Sequence, residues 1–388
     1  MAERSANVVV VRGHLATPWE LRQWVDLPER FRVSYLSSEA NRYDVGELAL
    51  LPVPVRTLRA KLPKGRLGDV AARVAGDRYL RLDEALRGAD IVHAEELSFW
   101  FSASAARAQG RFKLVQTVWE TIPLLNAFRN RRHARRYRAQ VLARTDLFLP
   151  VTQRARHALL LEGVPEDRIE LCAPGIDLER FRAAAARALA PTQHTIVSPG
   201  RLVWEKGHQD VLRAVAALHR GLDGLPQLRP HLLILGSGPE RRRLGDHARE
   251  LGIEDHVTFR SVAYDEMPDV FAGASCMVLA SLATAQAMLH LFDTPRAFWE
   301  EQFGLVLAEA MASGLAIVAS TSGAIPEVVG DGGRYFAAGD WMALARELAA
   351  GPLARPARER VEHDPARLQQ YSTGAAATRL AAAYDRLL

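Results

Sequence analysis

Two stretches of this 388-residue sequence combine residue types suited to handling a phosphorylated ligand. The first is Ser198-Pro199-Gly200-Arg201-Leu202-Val203-Trp204-Glu205-Lys206-Gly207. A strand is expected to end at Gly200 and a helix to begin near Gly207, so Arg201 and Lys206 fall on a loop at a strand C-terminus. Both cations can converge there on one anion. A guanidinium fork plus an ammonium suits a diphosphate, and both charges would stabilise it as it leaves. The plainer alternative is a surface loop with two unrelated charges.

The second stretch, Glu301-Gln302-Phe303-Gly304-Leu305-Val306-Leu307-Ala308-Glu309, reads as a loop entering a helix. Gly304 permits close backbone approach, and the free amides at the helix start are a ready anion site. Glu309 lies roughly one turn further on. A carboxylate there can accept both hydroxyls of a ribose, and Glu301 can accept sugar hydroxyls. The alternative makes Glu309 simply a good helix former and Glu301 a partner of the helix dipole.

The elements that must hold these loops follow from apolar runs. Strands are expected at Val8–Val11, Val33–Leu36, Ile91–His93, Leu114–Val118 and Leu147–Val151. The second half offers Thr195–Ser198, Leu232–Leu235, Val257–Phe259, Met277–Leu279 and Ala316–Ala319. Continuous runs of this kind suit parallel strands covered on both faces. Helical patterns lie between them, as in His208–His219, where Val211, Leu212, Val215 and Leu218 share one face. Strand–helix alternation over this length gives an α/β protein of two doubly wound Rossmann-like domains facing a central cleft. The boundary is expected near Ala183–Gln193, giving domains at 1–185 and 190–365 and a C-terminal segment, 366–388.

Composition narrows the class. Hydrophobic residues make up 48% and charged residues 24%, which argues against wholesale disorder. Cys172 and Cys276 each sit in an apolar run, as buried structural thiols do. No apolar run reaches the length of a signal core or a membrane span, so a cytoplasmic protein is expected. The net charge of +5 is concentrated at Arg129, Arg131, Arg132, Arg135, Arg136, Arg138 and Arg144, with a lesser group at Arg56, Arg59, Lys61, Lys64 and Arg66. A solvated helix face and attraction to an anionic membrane surface explain this equally well, the latter implying a peripheral position on the inner membrane face. Nucleic acid is disfavoured, because aromatic interleaving and binding modules are missing. No Asp-X-Asp occurs and no His/Cys/carboxylate group has metal spacing, so neither metal nor other cofactor is expected.

Together the two stretches resemble the retaining glycosyltransferases of family 4, the group 1 enzymes related to glycogen synthase that share the two-domain GT-B fold. The resemblance includes Gly200-Arg201-Leu202 with Lys206-Gly207, the turn Leu235-Gly236-Ser237-Gly238-Pro239, and Val257–Phe259. It continues from Glu301 through Glu309 to Ser322-Gly323 and Pro326-Glu327. The resemblance implies a nucleotide-diphosphate sugar, UDP- or GDP-linked, as co-substrate for hexosyl transfer to an unidentified glycan, lipid carrier or small metabolite. It assigns catalysis to Glu301, Arg201 and Lys206, with the two cations and the amides of Leu305 and Val306 holding the diphosphate. Glu309 would bind the ribose, and Glu301 the donor sugar with the backbone at Phe303 and Gly304. Val262 falls where the family's main chain contacts the base, Gly236 lies in a matched turn, and Gly13 would approach the donor from the other domain. The last helix, Ala375–Leu388, would cross back onto the first domain.

The N-terminal half matches less closely. Trp119-Glu120 stands where many members have a His-Asp pair, leaving His93, Trp119 and Glu120 as acceptor-side candidates. His93 fits a satisfied core histidine at least as well. Competing readings are a nucleotide-sugar epimerase of the same fold, and a catalytically silent binding protein that kept it. A dinucleotide oxidoreductase is disfavoured, since Val11-Arg12-Gly13-His14-Leu15 lacks G-x-G-x-x-G.

Overall fold

The apolar runs become the strands of two parallel sheets in the computed structural model, which describes residues 5–13, 16–38, 41, 51–62, 77–123, 131–188, 193–286, 297–357 and 359–388. The first sheet contains β1 (Ala6–Gly13), β2 (Phe31–Ser38), β3 (Leu51–Val55), β4 (Ile91–Glu95), β5 (Lys113–Val118) and β6 (Leu147–Pro150). Their order is β3-β2-β1-β4-β5-β6, parallel throughout. Val8 pairs in register with Val33 on one side and Ile91 on the other. Consecutive residues Val8 to Val11 are all buried, because helices cover both faces and alternation would expose nothing useful.

The second sheet is built from β7 (Thr195–Pro199), β8 (His231–Leu235), β9 (Val257–Arg260), β10 (Cys276–Leu279), β13 (Ala316–Ser320) and β14 (Gly333–Phe336). Two further strands, β11 (Thr284–Gln286) and β12 (Ala297–Trp299), pair separately. The main order is β14-β13-β10-β7-β8-β9, again parallel. Counted from its own first strand, each sheet runs 3-2-1-4-5-6, the doubly wound order that places ligands beyond the strand C-termini. The helix His208–Arg220 packs under the second sheet with Val211, Leu212, Val215 and Leu218 completely buried.

All ten strands expected from the sequence are present. Four strands were not expected: β11 and β12, which pair with each other, and β3 and β14, which are edge strands of the two main sheets. Leu51-Pro52-Val53-Pro54-Val55 carries two prolines, which speak against a strand in any interior position, while Gly333-Arg334-Tyr335-Phe336 lacks an apolar run.

The chain divides into two compact units. One runs to Ile176 and takes back Gln370–Leu388; the other comprises Asp177–Gln286 and Phe298–Gln369. The change falls ahead of the helix Leu178–Arg187, earlier than the Ala183–Gln193 stretch, of which residues 189–192 lie outside the described residues. Leu178, Phe181 and Ala184 are buried on that helix, which packs against the helices Met267–Ala272 and Leu305–Ala312 and so belongs with the second unit. The last helix, Thr373–Asp385, belongs to the first. Its Tyr384 is fully buried and its hydroxyl accepts a hydrogen bond from Trp24 Nε1 at 2.9 Å. Cys172 and Cys276 are both buried, and burial pushes their thiols up to about 11 and about 12. Among the described residues no helix is long and apolar enough to cross a membrane.

Candidate active site

The loop leaving β7 is shaped by its glycines and one histidine. Gly207, at φ +70°, caps the helix His208–Arg220, and a Cβ there would lie 1.8 Å from the carbonyl oxygen of Ala280. Gly236 leaves β8 so close to this loop that a Cβ would lie 2.0 Å from the Gly200 carbonyl oxygen. His208 is buried, and its Nε2 donates to the Arg201 carbonyl at 3.3 Å, so Nδ1 accepts from the Ser198 hydroxyl at 3.0 Å. Burial pulls its pKa down to about 4, keeping the ring neutral in this role.

This geometry delivers Lys206 to Glu301. Its Nζ donates to Glu301 Oε2 at 2.6 Å, and the Ser281 hydroxyl donates to the same oxygen at 2.6 Å. The ammonium also stands over the Trp299 ring, 5.1 Å from its centroid. Glu301 is fixed from behind as well: its N–H donates to Ser322 Oγ at 3.1 Å, and its carbonyl accepts from Ala324 N–H at 2.9 Å. Lys206 and Glu301 are 15% and 8% exposed, so their attraction is only weakly screened. Arg201 is not drawn into this pair. Its side chain is 67% exposed and its nearest acid is Glu205, at 4.0 Å.

The loop after Glu301 turns into the helix Leu305–Ala312 at Gly304, whose φ is +77°. Phe303 is buried beneath that turn. Leu305 and Val306 occupy the first two positions of the helix, where backbone N–H groups have no partner inside the helix itself. Val262 lies half-buried just beyond β9. Glu309 is only 4% exposed, and its Oε1 accepts from the Tyr264 hydroxyl at 3.2 Å. Among the described residues no other side chain or backbone group donates to this carboxylate. Burial raises its pKa to about 7, the Tyr264 hydrogen bond and Arg180 opposing the rise. Between the ordinary carboxylate range and about 7, the folded protein therefore keeps a proton that the unfolded chain has released, and stability falls as pH increases. Glu309→Gln should flatten that fall, which amounts to about 2 to 3 kcal/mol over the window, in denaturation measured at pH 5 and pH 8. Equal slopes in both proteins would contradict the assignment.

In the first unit the acceptor-side candidates have other partners. His93 is corrected to a structural residue: Nδ1 bonds the Tyr384 hydroxyl at 2.6 Å and Nε2 the Thr117 hydroxyl at 2.7 Å. Burial, followed by the nearby Arg12, lowers its pKa to about 3. Glu120 is 2% exposed, and Arg138 donates to its Oε2 at 3.1 Å. Arg138 also forks onto Glu162, through Nε at 2.8 Å and through Nη2. Glu96, left-handed at φ +65°, accepts from the Trp119 N–H at 2.9 Å and completes a set of three buried carboxylates around one guanidinium. Burial pushes both Glu96 and Glu120 upward, and the like charge of Glu96 raises Glu120 further. Trp119 is half-buried beside them. Gly13, at the end of β1, packs so tightly that a Cβ would lie 2.4 Å from Phe101 Cδ1.

The arginine-rich stretch is thus partly consumed by the fold. Arg138 serves this cluster and Arg144 binds Asp146 at 2.9 Å, while Arg135 and Arg136 are exposed. Lys64, Arg66 and Arg129 lie outside the described residues, as do residues 287–296. Sequence inspection did not find Ser281, His208, Tyr264, Glu96 or Arg138. A polar residue at or just past a strand end was the available signal for Ser281 and Glu96; the others had none.

The profile of the family "Glycosyl transferases group 1" matches residues 180–361, and that of "Glycosyltransferase Family 4" matches residues 13–180. A GDP-mannose-dependent alpha-(1-6)-phosphatidylinositol monomannoside mannosyltransferase of Mycobacterium tuberculosis is 29% identical over 294 residues, covering 67% of this chain and 70% of that protein. A D-inositol 3-phosphate glycosyltransferase of Streptomyces avermitilis is 32% identical over 213 residues, 51% of this chain and 42% of its own length. Among solved structures, HepE of Anabaena in complex with UDP superposes with a TM-score of 0.71 at 16% identity, covering 98% of this chain and 100% of that one. Sucrose-phosphate synthase of Thermosynechococcus elongatus gives 0.69 at 20% identity, over 98% and 99%.

Proposed function

The chain belongs to the group 1, family 4 glycosyltransferases, which transfer a sugar from a nucleotide-sugar, and from that premise we propose a retaining, metal-independent hexosyltransferase using a nucleotide-diphosphate hexose. In this reading Lys206 and Arg201, helped by the amides of Leu305 and Val306, hold the diphosphate. Glu301 grips the donor sugar and Glu309 the ribose. The observation that carries the proposal is the enclosed Lys206–Glu301 contact, because it sets a phosphate-binding cation beside a carboxylate able to accept sugar hydroxyls.

Leaving-group charge can be met here by side chains and helix amides alone. Among the described residues no group of three or more His, Cys, Asp or Glu is arranged to hold a metal ion. Turnover should survive a strong chelator within about twofold, since protein donors can supply the several kcal/mol a cation would. Loss of activity with EDTA, reversed by Mg²⁺ or Mn²⁺, would refute metal independence. Retention requires the acceptor to attack from the leaving-group face while a departing phosphate oxygen takes its proton, and this needs no side-chain base.

The mannosyltransferase relative makes GDP-mannose the first donor to assay, with UDP-glucose as the counter-test. Binding to the folded state raises apparent stability by mass action, so thermal shift against GDP, UDP and ADP reports the base. Nucleotide release that depends on acceptor separates transfer from epimerisation. No shift with any nucleotide would defeat the proposal.

A further inference from the structure

We propose that Tyr264 is a positioning residue of the donor site that makes it selective for a ribonucleotide, by clamping one oxygen of Glu309 and leaving the other to a ribose hydroxyl. The inference rests on the reading of Glu309 as the ribose acceptor and deepens it. Three elements of the second unit meet at this point. The helix Leu305–Ala312 supplies Glu309, the turn after β9 supplies Tyr264, and the helix Leu178–Arg187 supplies Arg180.

Tyr264 is held from two directions. Its turn is tied by the Glu266 carboxylate, which accepts from the Ala263 N–H at 3.0 Å. Its ring lies under the Arg180 guanidinium, 5.3 Å from the centroid, and Arg180 in turn donates to Asp265 at 2.7 Å. The phenol is thereby aimed before any ligand arrives, and its hydroxyl reaches Glu309 Oε1 at 3.2 Å. Burial, with the Glu309 charge adding to it, pushes the phenol's pKa upward, so the group stays protonated and donates.

A carboxylate this enclosed, with a single donor among the described residues, is half satisfied. Buried carboxylates ordinarily collect more hydrogen bonds than that. A ribose diol offers two adjacent O–H donors, matching the remaining acceptor capacity of Glu309. A deoxyribose offers one fewer and would leave an acceptor buried without a donor, the situation that discriminates most sharply between ligands. Without the tyrosine hydroxyl the carboxylate is free to rotate, and both the affinity and the discrimination decline together.

The test compares wild type with Tyr264→Phe, Arg180→Met and Glu309→Gln. Donor KM and kcat are measured, and binding of UDP and GDP is compared with that of their 2′-deoxy and 3′-deoxy counterparts. Tyr264→Phe should raise donor KM by about tenfold with kcat changed by less than about twofold, the pattern of lost uniform binding. Its preference for ribo- over deoxynucleotides should decline several-fold, and Arg180→Met, which keeps the hydroxyl but unpins the ring, should move both in the same direction by less. A merely structural tyrosine would lower stability without changing the ribo/deoxy ratio. If Glu309→Gln loses nucleotide binding while Tyr264→Phe and Arg180→Met keep the wild-type ratio, the inference is wrong and the ribose reading stands. If Glu309→Gln also binds ribo- and deoxynucleotides as wild type does, the ribose reading falls and takes the inference with it.

Discussion

Lys206→Ala lowers turnover at saturating donor by about a hundredfold or more, and Glu301→Ala does the same, each removing a contact worth about 3 kcal/mol in the transition state. The expectation follows from their shared 2.6 Å hydrogen bond at low exposure. The ammonium is already restrained by Glu301 and by the face of Trp299, so it meets developing phosphate charge with little reorganisation. Because the two residues act on one another, the double variant should lose much less than the sum of the single losses. Lys206→Arg should recover only part of the activity, since a planar fork cannot reproduce a point contact packed on an indole ring. Single-turnover kinetics with the four variants checks this. Near-wild-type rates in both alanine variants would remove the chemical basis of the site.

Arg138→Ala destabilises the protein by about 3 to 5 kcal/mol, the range seen when one partner of a buried ion pair is removed. Arg138 is the guanidinium among Glu96, Glu120 and Glu162, and its partners Glu120 and Glu162 are each 2% exposed. Removing it leaves several carboxylates buried without compensation. Glu120→Gln makes the informative contrast. Burial holds Glu96 and Glu120 above the ordinary carboxylate range, with the charge of Glu96 adding to it at Glu120, so the folded state retains a proton there that the unfolded chain has lost. Their contribution to stability therefore declines as pH rises above that range. The neutral glutamine should erase part of that decline, making Glu120→Gln neutral or stabilising at pH 8 while Arg138→Ala is severely destabilised. Urea denaturation of both variants at pH 5 and pH 8 decides the matter, and similar losses in the two would show that the cluster is not charge-limited.

How much of this was visible beforehand depends on sequence distance. Strands buried on both faces announce themselves as runs such as Val8–Val11 and Met277–Leu279, because every position must be apolar. The segments that carry Arg201, Lys206, Glu301 and Glu309 were also legible, because each is short and their order is informative. What stayed hidden are partners brought together from far apart. Tyr264 and Glu309 are separated by 45 residues, and Lys206 and Glu301 by 95. No local pattern marks such pairs. The arginine stretch illustrates the same limit, since charge counting cannot distinguish the exposed Arg135 from Arg138, which turns inward to Glu120 and Glu162. His93 was placed correctly on its strand, but the tyrosine that occupies it lies 291 residues later.

The two prolines of β3 have a consequence for solution behaviour. β3 is the outer strand of the first sheet, bonded to β2 in register from Ser34–Leu51 to Ser38–Val55. Backbone N–H groups alternate in direction along a strand, so Leu51, Val53 and Val55 can donate inward while Pro52 and Pro54 occupy the outward positions. A proline has no hydrogen to offer there. An incoming strand from another molecule would find oxygens but no matching donors, and this rim of the sheet cannot template a continuous ladder between copies.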